Sequence, residues 1–153
     1  MNENYLNAQA CEFFHEFARY EYCLKRVRLT KEFRAATACW EKYATEVEDV
    51  FEYATDDVKA AISYFKQHPP RKQIIHDGEL RWSDQLPDHR NDSELILLLI
   101  CRVRNNLFHG GKFNGHWFDP ERSEELIRHS LLILRACANF HPRVREAYKG
   151  CAA

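Results

Sequence analysis

The chain has 153 residues and a formal net charge of −1 at pH 7. This length suits one domain with a substantial core, and we expect a single domain over residues 1–153. The near-zero net charge excludes a global field that attracts nucleic acid, so any such contact must use local patches. No apolar run reaches the roughly 20 residues of a membrane span.

The distribution of cysteines and the composition of the N-terminus indicate in which cellular compartment the protein is found. The six cysteines are scattered without a CxxC pair, which predicts reduced thiols and neither a disulfide frame nor a zinc site. The N-terminus lacks the basic and apolar blocks of a signal peptide. We therefore expect a cytoplasmic protein that contacts no membrane.

Three helices are predicted in the first half of the chain. Apolar residues recur there at alternating spacings of four and three, which indicates amphipathic helices. The first is expected from about Asn4 to Arg28, and the second follows a Thr30 cap with its apolar stripe over Phe33–Val50. A third begins after Thr55 and ends at Pro69-Pro70.

Residues 69–91 have a different character. Gln73–His76 and Glu79–Trp82 are short segments of strand type, separated by Asp77-Gly78. An Asp-Gly pair between two such segments is typical of a tight hairpin turn. The sequence therefore predicts a small β-hairpin inserted between helices.

Two further helices complete the expected fold. Asp92 or Ser93 is predicted to cap a fourth helix, Glu94 to about His109, whose nearly continuous apolar run indicates the buried centre of the fold. Asp119-Pro120-Glu121 provides a cap and a first-turn proline for the last helix. The predicted class is all-α: an antiparallel helical bundle of about five helices with a small β-hairpin insertion.

The segment Arg104-Asn105-Asn106-Leu107-Phe108-His109 combines two groups suited to phosphodiester chemistry. An imidazole exchanges a proton near neutral pH, and a guanidinium holds a phosphate with a planar fork of donors. On an ideal helix Arg102, Asn105, Asn106 and His109 lie within roughly 100° of one another, which makes a polar face. Arg104 points elsewhere on that helix, so Arg102 and Arg104 are both candidates for a catalytic arginine.

The same segment also has a purely structural interpretation. Gly110 suits the left-handed residue that closes a helix, and a charged His109 in the last turn interacts favourably with the helix dipole. Under this interpretation the segment only caps its helix.

The hexapeptide resembles the signature of the HEPN superfamily, small helical bundles of which many are metal-independent ribonucleases. It matches the commonest form of that signature, Arg-Asn-x-x-x-His. The following Gly110-Gly111-Lys112, with the upstream Pro70-Arg71-Lys72-Gln73 and Leu80-Arg81-Trp82, is similar to the bacterial, often plasmid-borne, stand-alone branch. HEPN toxins paired with nucleotidyltransferase antitoxins often carry a tyrosine two residues after the His, and this tyrosine is the target of adenylylation. This chain has Gly111 at that position and so departs from that pattern.

The resemblance implies a homodimer whose two motifs face a shared cleft and cleave RNA by attack of the ribose 2′-OH. His109 would be the general base or acid, Arg104 would stabilise charge on the phosphorane, and Asn105 would orient the phosphate or the His. Neither metal nor cofactor is required, and the toxin role adds an antitoxin protein as a partner. Further expected RNA and phosphate contacts are Arg102, Lys112, Gly110 and Gly111.

Two other functions are compatible with the same residues. One is a non-catalytic HEPN module that binds RNA, a nucleotide or a partner protein, and the other is a structural bundle that oligomerises through the polar face. Trp82, Trp117 and Phe118 suit either stacking on an unpaired base or covering the core of the bundle.

Overall fold

The computed structural model describes residues 2–32, 35–109, 112–113, 116–117 and 119–150, with the backbone alone at 109, 112–113 and 116–117. The described part is mostly helical, so the all-α prediction is confirmed at the coarser level of a mainly-α fold; this part of the chain has seven helices where about five were predicted, and a second, two-residue strand pair that was not predicted. Its seven helices are α1 (Glu3–Arg26), α2 (Trp40–Glu46), α3 (Glu48–Glu52), α4 (Asp56–Gln67), α5 (Asp92–His109), α6 (Pro120–Phe140) and α7 (Pro142–Tyr148). Two antiparallel strand pairs accompany them: β1 (Lys72–His76) with β2 (Glu79–Ser83), and β3 (Lys112–Phe113) with β4 (His116–Trp117).

One hydrophobic cluster joins these helices. Helix α6 packs against α1, α4 and α7, while α2 packs against α5. The predicted burial of the fourth helix is confirmed, because most apolar side chains in the first three turns of α5 are inaccessible to solvent. Fully buried large side chains of the cluster include Leu6, Phe13, Leu24, Ile96, Leu97, Leu99, Ile100, Ile127, Ile133 and Leu134. Among the described helices, none has both the length and the apolarity to cross a bilayer.

The second helix was predicted wrongly. Thr30 caps no helix; it pairs with Ala38 in an isolated β-bridge, and the amide of Cys39 donates to the Leu29 oxygen at 2.9 Å. The helix begins only at Trp40 and is interrupted at Val47, where φ is −111°. Lys, Glu, Arg and Ala give this segment a good helical propensity, but burial of Leu29 and Ala38 in the core favours the extended pairing, because tertiary packing overrides local propensity.

Of two predicted helix N-caps, one is confirmed and the other is wrong. Asp119 accepts from the amide of Arg122 at 3.1 Å, as predicted for the last long helix. At α5 the cap is Asn91, whose Oδ1 accepts from the amide of Glu94 at 3.0 Å, so the prediction of Asp92 or Ser93 was wrong. Ser93 is buried and instead donates to the Ala44 oxygen.

The β-hairpin forms where it was predicted. Asp77 has φ of 51° and Gly78 of 75°, the two left-handed residues that a tight hairpin turn requires. The register pairs Gln73 with Trp82 and Ile75 with Leu80. Because β1 packs against α5, the hairpin lies beside the helix that carries the Arg104–His109 segment.

Candidate nucleic-acid interface

The polar face of α5 holds the hairpin. Arg102 donates from Nη1 to the backbone oxygen of Gln85 at 2.8 Å, and Asn106 donates from Nδ2 to that of Arg71 at 2.7 Å. Residues 71 and 85 lie on either side of the strand pair. Two of the four side chains predicted to form a polar face therefore anchor the inserted segment at both of its ends.

Arg104 is directed to the neighbouring amide. Its Nη1 donates to Oδ1 of Asn105 at 3.0 Å, and its guanidinium carbon lies 5.3 Å from the ring centre of Phe108. Helix α5 continues to His109. The structure thus brings Arg104 and Asn105 together on the turn that precedes His109.

A groove runs between this turn and β1. Its volume is about 480 Å³, and Lys72, Arg102, Asn105 and Asn106 line it over a floor that includes Leu98. The two cations come from different elements, since Lys72 belongs to the strand and Arg102 to the helix. Their convergence gives the groove a positive wall of the kind that attracts a phosphate backbone.

Burial changes the acid–base properties of two groups beside the groove. Desolvation by partial burial lowers the pKa of the Arg102 guanidinium. Desolvation also raises the pKa of the Cys101 thiol, with Glu21 adding to the shift and Arg104 opposing it. Cys101 is therefore a neutral thiol near pH 7 and is unsuited to act as a nucleophile.

Part of the predicted site falls outside the described residues. Gly110 and Gly111 lie outside them entirely, as do the side chains of His109 and Lys112. The described site therefore consists of Arg104 and Asn105 with the groove at their side.

Two cations near the site were not predicted as site residues. Lys72 lines the groove, and Arg71 lines a neighbouring cavity on the other side of Asn106. The sequence signal for both is their position directly after Pro69-Pro70, where the predicted hairpin begins. Within the described ranges, no cluster of three or more His, Cys, Asp or Glu side chains could hold a metal ion.

A second basic region lies elsewhere on the molecule. Arg143 of α7 donates to the Val27 oxygen and borders a cavity together with Arg26. Phe14, which contacts Phe108 edge-on, precedes Arg26 by twelve residues in the same helix, or about 18 Å at 1.5 Å per residue. This basic region is therefore separate from the groove at α5.

Comparisons with protein-family models, with curated proteins and with solved structures each find no match for this chain.

Proposed function

We propose that this chain is a metal-independent endoribonuclease of the HEPN type, acting in the cytoplasm as a toxin or defence effector. One observation carries the proposal: Arg104 is hydrogen-bonded to Asn105, which lines a groove bearing Lys72 and Arg102, one turn before His109. A guanidinium, an amide and two further cations thus lie on the last turns of α5 and on the strand beside it, and the same helix ends at His109. These groups supply phosphate binding and proton transfer without a metal ion.

The proposed reaction is attack of the ribose 2′-oxygen on the adjacent phosphorus. One imidazole takes the 2′-OH proton, and a second group protonates the departing 5′-oxygen, giving a 2′,3′-cyclic phosphate and a 5′-hydroxyl. Arg104 stabilises the charge of the phosphorane, and Asn105 holds Arg104 and orients the phosphate. Arg102 and Lys112 contact flanking phosphates, and the Gly110-Gly111 backbone permits close approach of the strand.

Dimerisation belongs to the same proposal. Two proton-transfer groups are required and each chain offers one motif histidine, so two chains around one cleft complete the site. The exposed side of α5 is the proposed contact, and it includes Phe108, which is 65% exposed. The resemblance further implies an antiparallel arrangement of the long helices as a bundle, and the packing of α6 against α1 and α4 supports it. An antitoxin protein is the expected regulatory partner.

A second function is favoured by a specific observation. Arg102 and Asn106 use part of their hydrogen-bonding capacity to anchor the hairpin, so the polar face of α5 already has a structural role. This arrangement suits a non-catalytic HEPN module that binds RNA, a nucleotide or a partner protein. It also suits a structural bundle that oligomerises through α5.

Cleavage of RNA in EDTA separates these functions. We expect the wild-type protein to cleave single-stranded RNA in EDTA and to leave 2′,3′-cyclic phosphate ends. His109→Ala should abolish cleavage while the oligomeric state measured by light scattering is retained. The control is His76→Ala, which removes an exposed imidazole of the hairpin.

Each other result points to a different function. Cleavage retained in His109→Ala removes this residue from the mechanism. Wild-type cleavage that disappears in EDTA indicates a metal nuclease. RNA binding without cleavage indicates the non-catalytic module, and a change in assembly alone, with no RNA phenotype, indicates the structural bundle.

A further inference from the structure

A cavity of about 270 Å³ lies between β2, the last turns of α5 and the first turns of α6. Val103, Leu107 and Leu126 give it an apolar lining, and the indole of Trp82 forms part of its wall. Trp82 is 44% exposed although it is the largest apolar side chain of the hairpin. Its ring thus adjoins the cavity while part of its surface remains in water.

Polar groups surround this apolar lining. Arg71 pairs through Nε with Asp84 at 3.0 Å, and Arg122 donates from Nη2 to the Pro69 oxygen at 2.8 Å. A guanidinium carries five N–H donors, so the bonds that the structure describes for these two residues use only part of each fork. The Asn106 amide lies between this cavity and the groove beside α5, because it lines both.

The cavity therefore combines an aromatic wall with an apolar lining, the Asn106 amide, and two guanidinium groups; the Asp119 carboxylate also lines it, and its Oδ1 accepts from the backbone amide of Arg122. A flat heteroaromatic ring stacks on an indole and hydrogen-bonds at its edge, and a guanidinium fork matches a phosphate. Its volume of about 270 Å³ is slightly below the roughly 300–1,000 Å³ typical of small-molecule sites, which suits one base rather than two.

We propose that this cavity binds one unpaired nucleobase stacked on Trp82, with the adjacent phosphate held by Arg71 and Arg122. The base belongs to the RNA strand whose backbone follows the groove of Lys72 and Arg102. The inference rests on the proposed function for the identity of that strand. It adds a specificity subsite on the side of α5 away from the Arg104–Asn105 pair, and it predicts a preference for single-stranded RNA.

Binding of an uncleavable oligonucleotide tests the subsite apart from catalysis. The probe is a fluorescent single-stranded 2′-O-methyl RNA of about ten nucleotides, a length typical of single-strand sites, titrated with the wild-type protein and followed by anisotropy. Trp82→Leu removes the stacking surface and should weaken binding about 5- to 150-fold, whereas Trp82→Phe should retain most of the affinity. The same oligonucleotide in a duplex should bind more weakly.

Two further variants serve as a second test and a control. Ser123 is half-buried and lines the cavity, so the ring of Ser123→Phe occupies the proposed place of the base and should weaken binding with Trp82 intact. Leu80 lies two residues from Trp82 on the same face of the hairpin, outside the cavity, and is 66% exposed. Leu80→Ala should bind RNA as the wild type does. Circular dichroism checks the fold of each variant.

The outcomes separate this inference from the nuclease proposal. The subsite proposal is overturned if Trp82→Leu and Ser123→Phe both fold and bind RNA as tightly as the wild type does. It is also overturned if the duplex binds as tightly as the single strand. If Trp82→Leu does not fold, Ser123→Phe decides. If the protein binds RNA in a way that depends on Trp82 but does not cleave it, the subsite proposal stands and the nuclease proposal fails.

A mononucleotide titration identifies the source of the base. We expect adenosine monophosphate to compete only weakly for the subsite, because it lacks the flanking phosphates that Lys72 and Arg102 would contact. If adenosine monophosphate instead competes as strongly as the unlabelled oligonucleotide, and this competition is lost in Trp82→Leu, the stacking site is supported and its ligand is a free nucleotide.

Discussion

The side-chain amide of Asn106 donates to the backbone oxygen of Arg71 at 2.7 Å, which joins α5 to the residue immediately before β1. Arg102 makes the corresponding bond to Gln85, just beyond β2. A two-stranded hairpin alone is marginally stable in water. These two bonds therefore help to fix the hairpin, and with it Lys72, beside the turn that carries Arg104 and Asn105.

Removal of the first bond should loosen the hairpin. Asn106→Ala leaves the Arg71 oxygen without this donor, and a bond of this kind contributes about 1 kcal/mol. We expect faster hydrogen exchange over residues 72–83 and little change in α1. Asn105→Ala is the matched control, because the described hydrogen bond of Asn105 is to the Arg104 side chain. Equal exchange in both variants would contradict an anchoring role for Asn106.

Substitution of the two arginines should have different effects. Arg104→Ala removes the proposed phosphorane contact, so RNA cleavage should fall about 10²- to 10³-fold with hairpin exchange unchanged. Arg102→Ala removes the bond to Gln85, so exchange in the hairpin should rise and cleavage should fall less. Cleavage rates and exchange are measured on the same preparations. If Arg102→Ala abolishes cleavage and Arg104→Ala retains it, the catalytic arginine is Arg102.

His129 should make stability depend on pH. It is 7% exposed, its ring centre lies 4.7 Å from that of Tyr64, and its Nε2 is 3.2 Å from Glu125. Burial, followed by the charge of Arg128, lowers its pKa below the ordinary 6.5, with Glu125 opposing the shift. The unfolded chain thus binds this proton more readily, so the stabilisation is complete above pH 6.5 and is lost as pH falls towards the folded pKa.

The measurement is the free energy of unfolding in urea from about pH 7.5 to about pH 5. We expect the wild type to lose stability more steeply than His129→Gln, because the variant has no titrating group at this position. His76→Gln, at an exposed position of the hairpin, should retain the wild-type slope. Parallel pH profiles for the wild type and His129→Gln would contradict the lowered pKa of His129.

Local chemistry explains which elements were predictable from the sequence. The hairpin turn depends on two adjacent residues, Asp77 and Gly78, that tolerate positive φ. The Asp119 cap likewise depends on a side chain and an amide three residues away. The stripe over Phe33–Val50 was misleading, because the pairing of Thr30 with Ala38 brings the core residues Leu29 and Ala38 together, and a helical period does not relate these two positions.

The residues of the polar face of α5 could be predicted from the sequence, but their hydrogen-bond acceptors could not. The helical period identified Arg102, Asn105 and Asn106 as one polar face. It gave no indication that Arg102 and Asn106 bond to backbone oxygens of residues 71 and 85, because a backbone acceptor has no sequence signature. The contribution of Lys72 to the groove depends in the same way on how the hairpin packs against α5.

Two buried tyrosines should differ in how loss of the hydroxyl group changes the stability of the protein. Tyr43 is 1% exposed, and its hydroxyl has no hydrogen-bond partner among the described residues. Tyr20 is 3% exposed and donates to Glu16 at 3.2 Å. An unsatisfied buried polar group costs about 1–3 kcal/mol, whereas a typical hydrogen bond contributes about 1 kcal/mol. Tyr43→Phe should therefore leave the free energy of unfolding unchanged or raise it, and Tyr20→Phe should lower it.

Both substitutions keep the aromatic ring, so packing is equal in the comparison. The ring of Tyr43 remains edge-on to Trp40 at 6.0 Å and to His141 at 5.8 Å, contacts that do not involve the hydroxyl. Urea denaturation of the wild type and the two variants at one pH gives the comparison directly. If Tyr43→Phe is as destabilising as Tyr20→Phe, the Tyr43 hydroxyl has a partner in solution, and a buried water molecule is the group that such a position accommodates.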